Sequence, residues 1–117
     1  MGIATPAAMA GGNFDYGTSR TKLSNGYLYT QLTMGSPSNT TNVTDSYVKD
    51  SGTGTITARF GWTWNGTKHT GSWFTQAGGT TKSAKWSNYS ITNCNSVIGW
   101  MEVSGQQTFN NAPVTNC

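Results

Sequence analysis

The sequence predicts an all-β protein, a small antiparallel β-sandwich or barrel of about six short strands closed by one disulfide. Three observations carry that prediction. Asn, Thr, Ser and Gly interrupt every window, and no apolar stripe with helical spacing persists along the chain. Short alternating runs rich in β-branched and aromatic residues recur between turn residues. An Asn-Gly pair, Asn65-Gly66, separates the two strongest of these runs.

In chain order, Tyr27 to Thr33 (YLYTQLT) alternates and reads as a strand. Met34 to Thr44 (MGSPSNTTNVT) is polar, with a Pro and a Gly, and reads as a loop. Ser46 to Lys49 is a short strand, Thr53 to Trp64 and Thr67 to Thr75 form the strongest pair, and Lys85 to Thr92 and Ser96 to Val103 follow. Gly105 to Cys117 reads as irregular, and Gly11 to Asn25 as a flexible arm.

The Asn-Gly pair sets a register, because a two-residue type I′ turn needs positive φ at both central positions. Trp64 then faces Thr67, Trp62 faces His69, Phe60 faces Gly71, Ala58 faces Trp73, and Ile56 faces Thr75. With a side-chain period of two, these residues share one face. That face is apolar: Ile56, Ala58, Phe60, Trp62, Trp64 and Trp73. The opposite face, with Thr63 against Lys68, Gly61 against Thr70, Arg59 against Ser72 and Thr57 against Phe74, meets water. Phe74 is the exception on it.

At 117 residues the chain has room for one core. Residues 1–10 read as the end of a secretory signal, with Ala8-Met9-Ala10 matching an A-x-A cleavage pattern. Residues 11–117 are then a single β domain. Its two cysteines, Cys94 and Cys117, lack the spacing and His partners of a zinc site. They read as a disulfide that clips the C-terminal tail, which implies an oxidising, extracellular setting.

Only 9% of residues are charged, against about 25% in typical domains, yet 12% are aromatic, so the chain buries enough surface to fold. The seven basic residues (Arg20, Lys22, Lys49, Arg59, Lys68, Lys82, Lys85) are scattered, which argues against nucleic acid as a partner. No stretch reaches the ~20 apolar residues of a membrane span. The four sequons, at Asn39, Asn42, Asn65 and Asn88, are of a number expected by chance in a chain so rich in Asn and Thr.

The raw material for catalysis is thin. His69 is the one histidine, and the carboxylates are Asp15, Asp45, Asp50 and Glu102. No nucleophile motif, phosphate loop or metal-ligand cluster appears, so neither an enzyme nor a cofactor or metal is expected. The five tryptophans exceed what a plain core of this size needs. Trp64, Lys68, Trp86 and Trp100 are therefore the expected binding residues.

The stretch Gly11-Gly12-Asn13-Phe14-Asp15-Tyr16-Gly17 resembles the G-G-aromatic-x-Tyr-Gly opening of lactococcin 972-like bacteriocins. Asn25 to Tyr29 with Gly35-Ser36 is similar to that family's Tyr-rich first strand and Gly-Ser loop. Gly71 to Phe74 and Trp86 to Tyr89 are similar to its G-x-W strand and aromatic closing strand. The likeness covers roughly residues 11–90; Leu32-Thr33-Met34 stands where the family has a basic Lys-His-Ser stretch, and both cysteines lie outside the pattern. It implies a secreted antiparallel β-sandwich from a Gram-positive bacterium, acting on competitors through the cell envelope without enzymatic chemistry. The expected partners are a cell-envelope component or a protein of a secreted antibacterial toxin assembly. A carbohydrate-binding module or lectin, and a structural or adaptor subunit of an extracellular complex, are the alternatives.

Overall fold

The computed structural model describes residues 16–91 and 94–116. Among these, nine strands occur and no helix: β1 (Thr18–Leu23), β2 (Gly26–Met34), β3 (Thr41–Lys49), β4 (Ile56–Trp64), β5 (Thr67–Thr70), β6 (Phe74–Gln76), β7 (Thr81–Tyr89), β8 (Val97–Val103) and β9 (Thr108–Asn110). They form two antiparallel sheets. One has the order β1-β2-β3-β7; in the other, β4 and β8 are central, β9 flanks β8, and β5 and β6 share the far edge of β4.

The all-β expectation holds, with nine strands in place of six. β1 occupies the segment expected to be a flexible arm. A turn at Ser24 and Asn25 folds it back so that Leu23 pairs with Gly26 and Thr18 with Gln31. β3 starts at Thr41, inside the expected loop, because Thr41, Val43, Asp45 and Tyr47 alternate inward along one face. The connection before it shrinks to six residues, Gly35 to Thr40, tied by Gly35 N–H donating to Thr40 O at 2.9 Å. β9 and the segment after it are ordered by backbone pairing. The Val97–Val114 bridge and the Gly17 N–H to Thr115 O bond at 3.0 Å bind the two ends of the described chain together. Residues 1–15, Thr92, Asn93 and Cys117 lie outside the described residues, and with them the leader, most of the GGNFDYG stretch and the Cys94–Cys117 bond.

Two apolar clusters fill the space between the sheets. One holds Leu28, Tyr47, Ala58, Phe60, Met101 and Val103; the other holds Leu32, Val43, Trp62, Ile91, Val97 and Val114. A polar layer separates them. On β2 it is Thr30, between Leu28 and Leu32; on β3 it is Asp45, between Val43 and Tyr47; on β8 it is Gly99, between Val97 and Met101. Thr30 and Asp45 are direct cross-strand partners. The Thr30 hydroxyl donates to Asp45 Oδ1 at 2.8 Å and accepts from Asn111 Nδ2 at 2.8 Å. Gly99 is required there: a Cβ on it would lie 1.8 Å from Thr30 Oγ1.

The Asn-Gly turn forms as the sequence predicts, with φ of 51° at Asn65 and 78° at Gly66. Trp64 pairs with Thr67, Trp62 with His69, and Gly61 with Thr70. Further from the turn the register slips by one residue. Gly71 N–H donates to Phe60 O at 2.7 Å, and beyond it Ala58 pairs with Phe74 rather than Trp73, and Ile56 with Gln76 rather than Thr75. An extra residue between β5 and β6 breaks the edge as a β-bulge does, and it exchanges the two faces downstream. The expected inward Trp73 is therefore 46% exposed, and Phe74 packs on the core with its ring centroid 4.9 Å from that of Phe60.

The two aromatic neighbours should respond in opposite ways. Phe74→Ala is expected to cost about 2–3 kcal/mol in a urea denaturation series, while Trp73→Ala stays within about 1 kcal/mol. The reverse order would mean that the uninterrupted hairpin register is the real one.

Candidate functional site

His69 is the first residue to place, since a lone histidine among tryptophans invites a catalytic reading. β5 carries it opposite Trp62, and the imidazole stacks on the indole with centroids 3.9 Å apart and planes 12° apart. Tyr89 meets both rings edge-on, its centroid 5.1 Å from each. Among the described residues the ion pairs are Lys22–Asp50 and Arg59–Glu102, so no carboxylate orients this imidazole there. No group of His, Cys, Asp and Glu with metal-binding geometry occurs among them either. His69 packs an aromatic seam at the rim of the core.

The second chemically provocative group is Asp45. It has no exposed surface, and its Oδ2 atom has no hydrogen-bond partner. Burial pushes its carboxyl up to about 8, against the lowering effect of the Thr30 hydroxyl and the Gly61 backbone. Folding therefore favours the neutral acid, which removes the cost of an isolated charge between the sheets. No substrate reaches a carboxyl closed in by both sheets, so its role lies in the core.

Chemistry available to a partner lies on the outer faces. On the four-stranded sheet, register sets three rows across the strands: Lys22–Tyr27–Val48–Thr81, Arg20–Tyr29–Ser46–Ser83 and Thr18–Gln31–Thr44–Lys85. Tyr27 and Tyr29 stand side by side with ring centroids 6.2 Å apart. The Arg20 guanidinium lies 5.1 Å and the Lys22 ammonium 5.5 Å from the Tyr27 ring. Both distances fit cation–π attraction. Lys22 also approaches Asp50, at 4.0 Å. Val48 is 40% exposed within this face.

The outer face of the other sheet is largely self-satisfied. Arg59 Nε donates to Glu102 Oε1 at 2.8 Å, and its guanidinium lies 4.5 Å from the Trp73 ring. Trp100 lies over Gly61, where a Cβ would meet the ring at 2.2 Å, and its Nε1 donates to Thr63 Oγ1 at 3.2 Å.

Of the expected binding residues, Trp64 and Trp86 point inward. Trp64 packs against the second apolar cluster with its indole N–H buried and unpartnered. Trp86 touches both clusters, because inward parity on β7 falls on Ala84 and Trp86, opposite Asp45 and Val43. Trp100 faces outward but is only 5% exposed. Lys68 is exposed, its ammonium 5.9 Å from the Trp100 ring. The four residues are not assembled into one surface. Sequence reasoning missed Arg20, Lys22, Tyr27 and Tyr29 as a group. The available signal was the alternation of Tyr27 and Tyr29 against Leu28, Thr30 and Leu32.

Two sequon asparagines are bound into the fold. Asn42 Nδ2 donates to Met34 O at 3.1 Å, and Asn88 Oδ1 accepts from Ser36 N–H at 2.9 Å.

Compared with known proteins, the chain matches no family model, no curated protein and no solved structure. The outer-face geometry therefore carries the functional argument.

Asp45 yields a pH prediction. Its folded pKa is raised, so the stability it contributes is complete below its unfolded value of 3.8 and is lost as pH rises toward about 8. Unfolding free energy should fall across that window with a slope approaching 1.4 kcal/mol per pH unit. Asp45→Asn, which keeps the shape and the acceptor for Thr30, should flatten the curve. Equal slopes for both proteins would remove Asp45 as the source.

Proposed function

We propose that this chain is a secreted, non-enzymatic bacterial β-sandwich that works by binding at a cell envelope, either bacteriocin-like or as a component of a secreted antibacterial assembly. The observation that carries the reading is the outer face of the β1-β2-β3-β7 sheet. There a tyrosine pair, flanked by Arg20 and Lys22, stands on a broad sheet face rich in hydroxyl groups. Aromatic rings with polar tips bury apolar area in a complex while keeping a hydrogen-bonding handle, which suits them to contact surfaces. The signal-like start and the likeness of residues 11–90 to lactococcin 972-like bacteriocins support the same reading. Cys94 and Cys117 form the disulfide of this secreted form, pinning a tail that Asn116 already ties to Thr41 and to Ile91 O.

Purified protein added to Gram-positive cells should be retained on the cell surface and slow growth of susceptible strains. Retention on no strain, together with no growth effect, would rule the reading out. For the disulfide, Cys94→Ser should lower stability by roughly 3 kcal/mol, as expected for closing a loop of this length. The unsubstituted protein should lose the same amount on reduction. Insensitivity to reductant would count against the bond.

A further inference from the structure

The outer face of the four-stranded sheet also has a specific electrostatic and chemical character. Of the four carboxylates in the chain, Asp15 lies outside the described residues, Asp45 is buried between the sheets, and Glu102 is paired to Arg59 on the opposite sheet. Asp50 follows β3 at the margin of the face, beside Lys22. The strands of this face thus present Arg20, Lys22 and Lys85 with no carboxylate among them. Arg20 and Lys22 stand on β1, at one edge, and Lys85 on β7, at the other; the two strands are about 14 Å apart by three inter-strand spacings. Between them lie the two tyrosine rings and the side chains of Gln31, Thr44 and Ser46.

We infer that this face binds a linear acidic polysaccharide, laid across the strands with its anionic groups on the two cationic edges. The inference rests on the binding function proposed above and names its ligand class. Three features argue for an acidic sugar chain. Cations at both edges, with Asp50 beside Lys22 the one described carboxylate near them, complement a polyanion. Tyrosine rings present flat apolar area to the C–H faces of pyranoses, while their hydroxyls remain available to sugar hydroxyls. Ser, Thr and Gln side chains beside the rings supply donors and acceptors at the spacing of the sheet. Single-stranded nucleic acid fits less well. It needs a continuous cationic groove along its backbone, whereas here Arg20 and Lys22 on one edge strand are separated from Lys85 on the other by two intervening strands.

Affinity electrophoresis in gels containing polygalacturonate, neutral dextran or a polythymidine oligonucleotide tests the inference. Polygalacturonate should retard the protein strongly, with an apparent affinity at least tenfold above that for dextran or the oligonucleotide, and falling with added salt. Arg20→Ala combined with Lys85→Ala should weaken retardation at least tenfold. Tyr29→Ala, which leaves the charge unchanged, should weaken it about as much, with Tyr29→Phe as the milder variant should alanine lower the melting temperature. Wild-type retardation in both Tyr29 variants would reduce the effect to diffuse charge attraction and overturn the inference. So would tighter binding of the oligonucleotide. Retention on cells without affinity for polygalacturonate would overturn this ligand class and leave the envelope-binding reading standing; failure of both assays would remove both.

Discussion

The arrangement of both sheets depends on one buried hydrogen-bonded link, Asn111 to Thr30 to Asp45. Thr30 and Asp45 are opposed on β2 and β3, and Asn111, just past β9, reaches across from the other sheet. A hydroxyl both gives and receives here, so each of the three residues needs the other two in place. A one-residue slip between β2 and β3 would turn Asp45 outward and leave the Thr30 hydroxyl without its acceptor. An apolar core tolerates many packings; a polar layer inside it tolerates few. The cost is a carboxyl that stays neutral at ordinary pH and the loss of any side chain at position 99.

A second constraint closes the sandwich along one side. β5 and β7 are edge strands of different sheets with no ladder between them. Rings bridge the gap: Trp62 and His69 from one sheet meet Trp86 and Tyr89 from the other. Gly71 lets the seam continue, since a Cβ there would sit 3.3 Å from the Trp86 ring. The stretch from Trp62 to Trp73 is thus mainly an edge seal, made of the side chains that first suggest reactivity.

Much of this was legible in the residues. The Asn65-Gly66 turn needs positive φ at two adjacent positions, so the pairing of Trp62 with His69 followed from local chemistry alone. β1 and the first half of β3 were not legible as strands, although Ser46 to Lys49 was, because Ser19, Thr21, Thr41 and Asp45 take inward positions where apolar groups would mark a strand. The candidate site was less visible still. Trp64 and Trp86 attract attention because tryptophan is costly, yet inward parity takes both into the core. Tyr27 and Tyr29 acquire meaning only once β1 is known to pair with β2, since that pairing brings Arg20 and Lys22 beside them. Contacts between strands are non-local, and alternation within one strand carries no information about its neighbour's charges.

The interruption between Gly71 and Phe74 changes how this edge can vary. β5 and β6 run as one line along β4, but they are read in opposite frames: odd-numbered residues face inward before the break and even-numbered ones after it. Such a break uncouples the two halves. The half near the turn can be rebuilt for packing against β7 without altering which side chains the other half shows to solvent. Deleting a single residue from the break would restore one frame throughout. Without Ser72, for example, Trp73 would stand opposite Arg59 and stay outward while Phe74 kept its inward place opposite Ala58, so the edge can lose its interruption without changing which side chains it buries.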